Sequence, residues 1–136
     1  VGASDPNSAQ QHPAPGLDAE RVLGSVLEGL REDVSAPAEG VRRVYRFASD
    51  RMRAGIGDEA AFRRAFQTTL YAPLLGHVEA RVEALERRGE AARASVWVRA
   101  ADGASARFTV ALARARHGDR SGCWLLSGLA RDGVDL

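Results

Sequence analysis

Apolar side chains recur with a helical period through the first half of the chain and alternate with polar ones through the second. Leu17, Val22, Leu23, Val26, Leu27, Leu30 and Val34 share one helical stripe, and Glu20, Arg21, Glu28, Arg31 and Glu32 fall off it. The spacing predicts a helix ending near Val34, with Asp18 and Glu20 at the end where the helix dipole favours acids. Gly24 and Gly29 inside it cost about 1 kcal/mol each relative to alanine, and read as places where the backbone approaches the sheet. Ser35-Ala36-Pro37 restarts the chain. A second helix runs from Pro37 or Ala38 to Ala48, with Val41, Val44, Tyr45 and Ala48 inward. Ala54-Gly55-Ile56-Gly57 is a break. Asp58 is a good N-cap for a third helix over 59–70, which carries Phe62, Ala65, Phe66, Thr69 and Leu70 on one face and ends before Pro73.

Strands follow. Val78, Ala80, Val82 and Ala84 alternate with Glu79, Arg81 and Glu83, which predicts a half-buried strand with the valines inward. Arg87-Arg88-Gly89-Glu90 turns the chain. Ala94, Val96 and Val98 alternate with Arg93, Ser95, Trp97 and Arg99. Asp102-Gly103 marks a hairpin turn, since both residues tolerate positive φ. Ala106, Phe108, Val110 and Leu112 then alternate with Arg107, Thr109 and Ala111. After the loop His117 to Gly122, a strand from Cys123 to Leu129 is apolar on both faces, the mark of a central or covered strand. Helices first and a strand meander second define an α+β fold with N-terminal helices packed on a curved four-stranded antiparallel sheet. Phe62 and Phe66 are expected on that sheet beside Phe108 and Val110.

The layout resembles the nuclear transport factor 2-like, or cystatin-like, cone. Three stretches sharpen the resemblance: Tyr45-Arg-Phe-Ala-Ser-Asp-Arg51, Tyr71-Ala-Pro-Leu-Leu-Gly-His77 and Gly122-Cys-Trp-Leu-Leu-Ser-Gly128. They are similar to the turn after the second helix, the helix exit and the closing strand of the family called domain of unknown function 4864, with Asp50 where that family has proline. The resemblance spans roughly residues 17–130 and implies a fold, not an activity. It implies members in bacterial envelope proteins and in plastid-containing organisms. Residues 1–16 are rich in Ser, Pro, Gln and Gly and read as an extended arm; 131–136 read as a polar tail. The chain starts at Val1, which fits a removed signal or transit peptide as well as a truncated chain. The compartment stays open between the plastid and the bacterial envelope.

At 136 residues the chain is one domain with enough core to need neither metal nor disulfide. All 19 basic residues are arginine, set against 18 acids. That near-neutral balance argues against a nucleic-acid partner. No apolar run reaches the roughly 20 residues of a membrane span, which leaves association with a membrane complex possible through partners. The lone Cys123, in an apolar strand, reads as a small buried hydrophobe.

Motifs for chemistry are sparse. His12, His77 and His117 lie far apart, with no His-x-x-x-His or Cys-x-x-Cys. There is no Gly-x-Ser-x-Gly, and Gly55-Ile56-Gly57 lacks the lysine of a phosphate loop. No cofactor, metal or catalytic set is assigned. Weak pocket candidates for proton transfer are Tyr45, Tyr71 and His77, with Asp50 beside them, but the inward strand faces carry no carboxylate. The stronger feature is the outward face: Arg93, Trp97 and Arg99 on one strand beside Arg107 on its neighbour. Tryptophan and arginine are the residue types enriched at interface hot spots; the competing reading is a solvated face on which arginine stems cover the indole. The expectation is a non-enzymatic binding or accessory module that contacts protein, another subunit or itself, through that face and the N-terminal arm. The alternative is a small-ligand pocket protein or cofactor-free proton-transfer enzyme of the same fold.

Overall fold

The computed structural model describes residues 12–32 and 39–132. Among the described residues four helices come first, α1 (Ala19–Glu32), α2 (Glu39–Phe47), α3 (Asp50–Ile56) and α4 (Glu59–Phe66). A 3₁₀ turn at Ala72–Leu74 leads to four strands, β1 (Glu79–Arg88), β2 (Ala91–Arg99), β3 (Ser105–Arg114) and β4 (Trp124–Arg131). The strands form one open antiparallel sheet in chain order. This is an α+β fold with the helices preceding the sheet. The expected helix end at Val34 and restart at Pro37 lie outside the described residues, as do 1–11 of the arm and 133–136 of the tail.

The stripe on α1 does what its period demands: Val22, Leu23, Val26 and Leu30 are all at most 3% exposed. Its glycines act differently from the expectation. Gly24 faces open space, and a Cβ at Gly29 would meet the Gly40 carbonyl at 3.1 Å, so the close approach is of helix to helix, not helix to sheet. Two helix boundaries also differ. The stretch read as a break holds α3, because the Ser49 side chain accepts from the Met52 N–H at 3.1 Å and caps a turn whose Met52 is buried. Asp58 caps α4 as expected, accepting from the Ala61 N–H at 2.9 Å. That helix stops at Phe66, not Leu70, where the Thr68 hydroxyl donates to the Ala65 carbonyl at 2.7 Å and competes with continued helix.

The helical layer leans to one side of the sheet. α1, α2 and α3 all rest on β4. The chain at 48–49 continues that edge through a parallel Ala48–Leu126 bridge and a Ser49 N–H bond to the Leu126 carbonyl at 2.8 Å. One apolar cluster fills the space between, with Phe47, Phe62, Val96, Val98, Phe108 and Leu126 fully buried. Phe62 meets Tyr45 edge-on at 5.1 Å, and Phe66 reaches Phe108 through Tyr71.

The first strand departs from expectation. Val78 is 52% exposed and Val82 46%, and Ala80 and Ala84 are exposed too. β1 pairs only with β2, at the sheet edge farthest from the β4 side on which the helices rest. A bulge between Val82 and Ala84 also shifts the register: Ala84 comes opposite Ser95 on the outer face, and Leu85 opposite Ala94 on the core side. The bulge and the charges along β1 blunt an edge that would otherwise invite strand pairing. The closing strand begins at Trp124, one residue after Cys123, and Asp132 beyond it still bonds the Arg107 carbonyl at 2.8 Å. In the described part of the arm, Ala14 packs on the core and Pro15 lies over Gly122.

Candidate functional site

Strict alternation on β2 and β3 gives the sheet two unlike faces. Ala92, Ala94, Val96 and Val98 on β2, with Ala106, Phe108, Val110 and Leu112 on β3, are buried under the helices. The opposite side chains form cross-strand rows on the outer face. One row is Glu79–Arg99–Ser105, the next Arg81–Trp97–Arg107. A row of small side chains follows, Ala84–Ser95–Thr109–Ala130. Beyond it lie Glu86–Arg93–Ala111–Gly128 and then Arg88–Ala91–Ala113. The four interface candidates thus share this face: Arg93, Arg99 and Arg107 are exposed and Trp97 is half-buried.

Ion pairs tile one end of the face. Glu79 accepts from Arg81 at 3.1 Å and from Arg99 at 3.2 Å, and these bonds hold its carboxyl below the usual range. Glu83 receives Arg107 bidentately at 2.5 and 3.1 Å, which lowers the Glu83 pKa and raises that of Arg107. Both carboxylates lie at the solvent surface and are screened. The Arg81 guanidinium stands 4.9 Å from the centre of the Trp97 ring, so an arginine covers the indole on the outer face. At the other end, the side chains of Glu86, Arg88 and Arg93 make no hydrogen bond or ion pair among the described residues. They rim a hollow of about 490 Å³ over a floor of Ala91, Ala111 and Ala113.

The pocket candidates are not brought together. Tyr45 packs on Phe62 and under the Arg53 guanidinium, 4.4 Å from its ring centre. The Tyr71 hydroxyl donates to the Leu129 carbonyl at 3.0 Å while its ring stacks on Phe108. His77 is buried, its Nδ1 2.8 Å from the Leu74 carbonyl. Since a carbonyl only accepts, Nδ1 carries the proton. Burial lowers the His77 pKa, partly offset by that bond. Asp50 stands in the solvent at the start of α3, paired with Arg120 at 2.6 Å.

A cleft of about 210 Å³ near Asp50 is lined by Arg114, Arg116, His117 and Arg120. Its arginines are engaged within the fold. Arg116 pairs with Glu90 at 2.5 Å, and Arg120 holds the carbonyls of Arg46 and Ala48 at 3.0 and 2.6 Å. Among the described residues no group of three or more His, Cys, Asp or Glu side chains could hold a metal ion, and no helix is long and apolar enough to cross a membrane. Burial raises the Cys123 pKa, only partly countered by Arg120.

The acids of β1 are the functional side chains that the sequence reading passed over. Their spacing, Glu79-x-Arg81-x-Glu83, was visible as a polar strand face. Which arginine each one meets depends on register, which one strand alone does not specify. Compared with known protein families, characterised proteins and solved structures, the chain finds no match.

Proposed function

We propose that this chain is a non-enzymatic binding or accessory module of nuclear transport factor 2-like architecture, similar to domain of unknown function 4864, that contacts protein through its outer sheet face. The observation that carries this is the composition of a face left bare by the helices. A tryptophan stands there beneath an arginine, beside small side chains and a hollow rimmed by three charges without partners among the described residues. Large anchors beside small floors are what a partner surface interlocks with, and arginine and tryptophan dominate such contacts energetically. What weighs against the rival pocket enzyme is that Tyr45, Tyr71 and His77 each serve a separate structural contact.

The test is the double variant Trp97→Ala with Arg99→Ala in its native cell. Both side chains point away from the core, so the circular dichroism and melting temperature should stay those of the parent. Association with a second tagged copy or another protein should be lost. Retention of the partner by the folded double variant would overturn the reading.

A further inference from the structure

We propose that the occupant of the outer face is a second copy of this chain, related by a two-fold axis that crosses the strands along the Ala84–Ser95–Thr109–Ala130 row. This rests on the outer-face reading above and names its partner. The argument is the cross-strand register. A two-fold axis lying between two facing sheets and running across the strands reverses strand direction and keeps strand order. Rows equidistant from the axis row then face each other. The small side chains of the axis row let the two sheets approach to the roughly 10 Å of packed sheets.

The row Arg81–Trp97–Arg107 comes to face Glu86–Arg93–Ala111 of the second copy. Arg81 meets Glu86, a carboxylate with no partner among the described residues of its own chain. Trp97 meets the guanidinium of Arg93, likewise unpartnered, in cation–π geometry. Arg107 lies over Ala111, large against small. One row farther out, Glu79 faces Arg88, and Arg99 faces Ala91. Charge and size are thus complementary in both rows, and the symmetry makes each contact twice. The exposed in-chain bonds of Arg81 cost little to exchange. An axis parallel to the strands would instead set β1 over β4, which brings Arg81 toward Asp132 but leaves Glu86 over Gly128 and Arg93 over Ala111, with no opposite charge for either. Four strands spaced about 4.8 Å and about nine residues long give a footprint on the order of 500–600 Å² per copy. Side-chain relief brings that near the roughly 800 Å² per partner of a stable interface.

Sedimentation of the full chain from about 1 to 100 μM, spanning the weak end of interfaces this size, should show a monomer–dimer equilibrium. Arg81→Glu alone and Glu86→Arg alone each set like charges opposite one another twice, and each should weaken the dimer at least about tenfold. The two variants mixed in equal amounts should recover it, since each chain then offers what the other lacks, and the Arg81→Glu/Glu86→Arg double variant should dimerise like the parent. A monomer throughout overturns the second copy. The outer-face reading then survives if a different protein is retained in a Trp97- and Arg99-dependent way. A dimer indifferent to both charge reversals and to Trp97→Ala lies on another surface and likewise overturns the second copy as occupant of this face, and the outer-face reading is then decided by the same retention test.

Discussion

Replacing Arg120 with methionine keeps the aliphatic stem and deletes a guanidinium that ties the loop before β4 to the end of α2. Arg120 donates to the carbonyls of Arg46 and Ala48 and pairs with Asp50, and its side chain is 17% exposed. The last carbonyls of a helix have no intrahelical donor, and leaving one unmet in a part-buried setting costs about 1–3 kcal/mol. The Ala48 carbonyl would lose its 2.6 Å bond. The Arg46 carbonyl keeps a 3.4 Å contact from Arg53, so its loss is smaller. The Asp50 carboxylate is 93% exposed and adds little. Burial first, and then the charge of Arg120, hold the Arg53 guanidinium below the ordinary arginine range, so removing Arg120 returns part of the loss. The net is about 2–3 kcal/mol, a substantial share of the roughly 5–15 kcal/mol by which a domain is stable. Urea titration of parent and Arg120→Met reads it as a lower midpoint at unchanged slope. Asp50→Asn should stay within about 0.5 kcal/mol of the parent. Adding Arg53→Met should cost more than the sum of the single changes, because the repulsion between the two guanidiniums is relieved in each single variant but only once in the double. The reasoning fails if Arg120→Met unfolds at the parent midpoint, or if Asp50→Asn is equally damaging.

The uncovered position of β1 predicts that Val82→Ser costs at most about 0.5 kcal/mol, whereas Val96→Ala, directly opposite and fully buried, costs about 1.5–3 kcal/mol. Equal losses in denaturant titration would place the helices over β1 after all. His77 has a folded pKa below its unfolded value near 6.5, so the unfolded chain binds more protons as pH falls. Stability should therefore hold above pH 6.5 and decline as pH drops from there through the folded pKa, a slope that His77→Gln flattens; a parent as stable at pH 5 as at pH 7 would contradict the buried neutral ring. Cys123 should react with a thiol reagent at neutral pH only at the rate of unfolding, since burial both shields the thiol and raises its pKa. Prompt stoichiometric labelling of the native chain would refute this.

Periodicity alone was enough for the two faces of β2 and β3. A strand reverses face at every residue, so Val96, Val98, Phe108 and Val110 had to share one side and Arg93, Trp97, Arg99 and Arg107 the other. It was enough for α1 as well, whose stripe is the only face that could be buried without stranding charge. Composition and motif spacing left metal, cofactor and nucleic acid without assigned residues. The same pattern misled at β1. Val78 and Val82 alternate as well as any core valine, but alternation reports which side a residue faces, not whether anything lies on that side. The reach of the helices is set by how α1, α2 and α3 lean on β4, and the bulge at Val82–Ala84 by the pairing of two strands. Neither is a property of one segment. The outer face belongs to both levels. Its residue types were visible along the chain, but the pairing of Arg107 with Glu83, the covering of Trp97 by Arg81 and the grouping of Glu86, Arg88 and Arg93 around one hollow arise only when three strands are placed in register. Side-chain direction is a local, two-residue property of the backbone, while contact partners and cover are fixed by elements far apart in sequence.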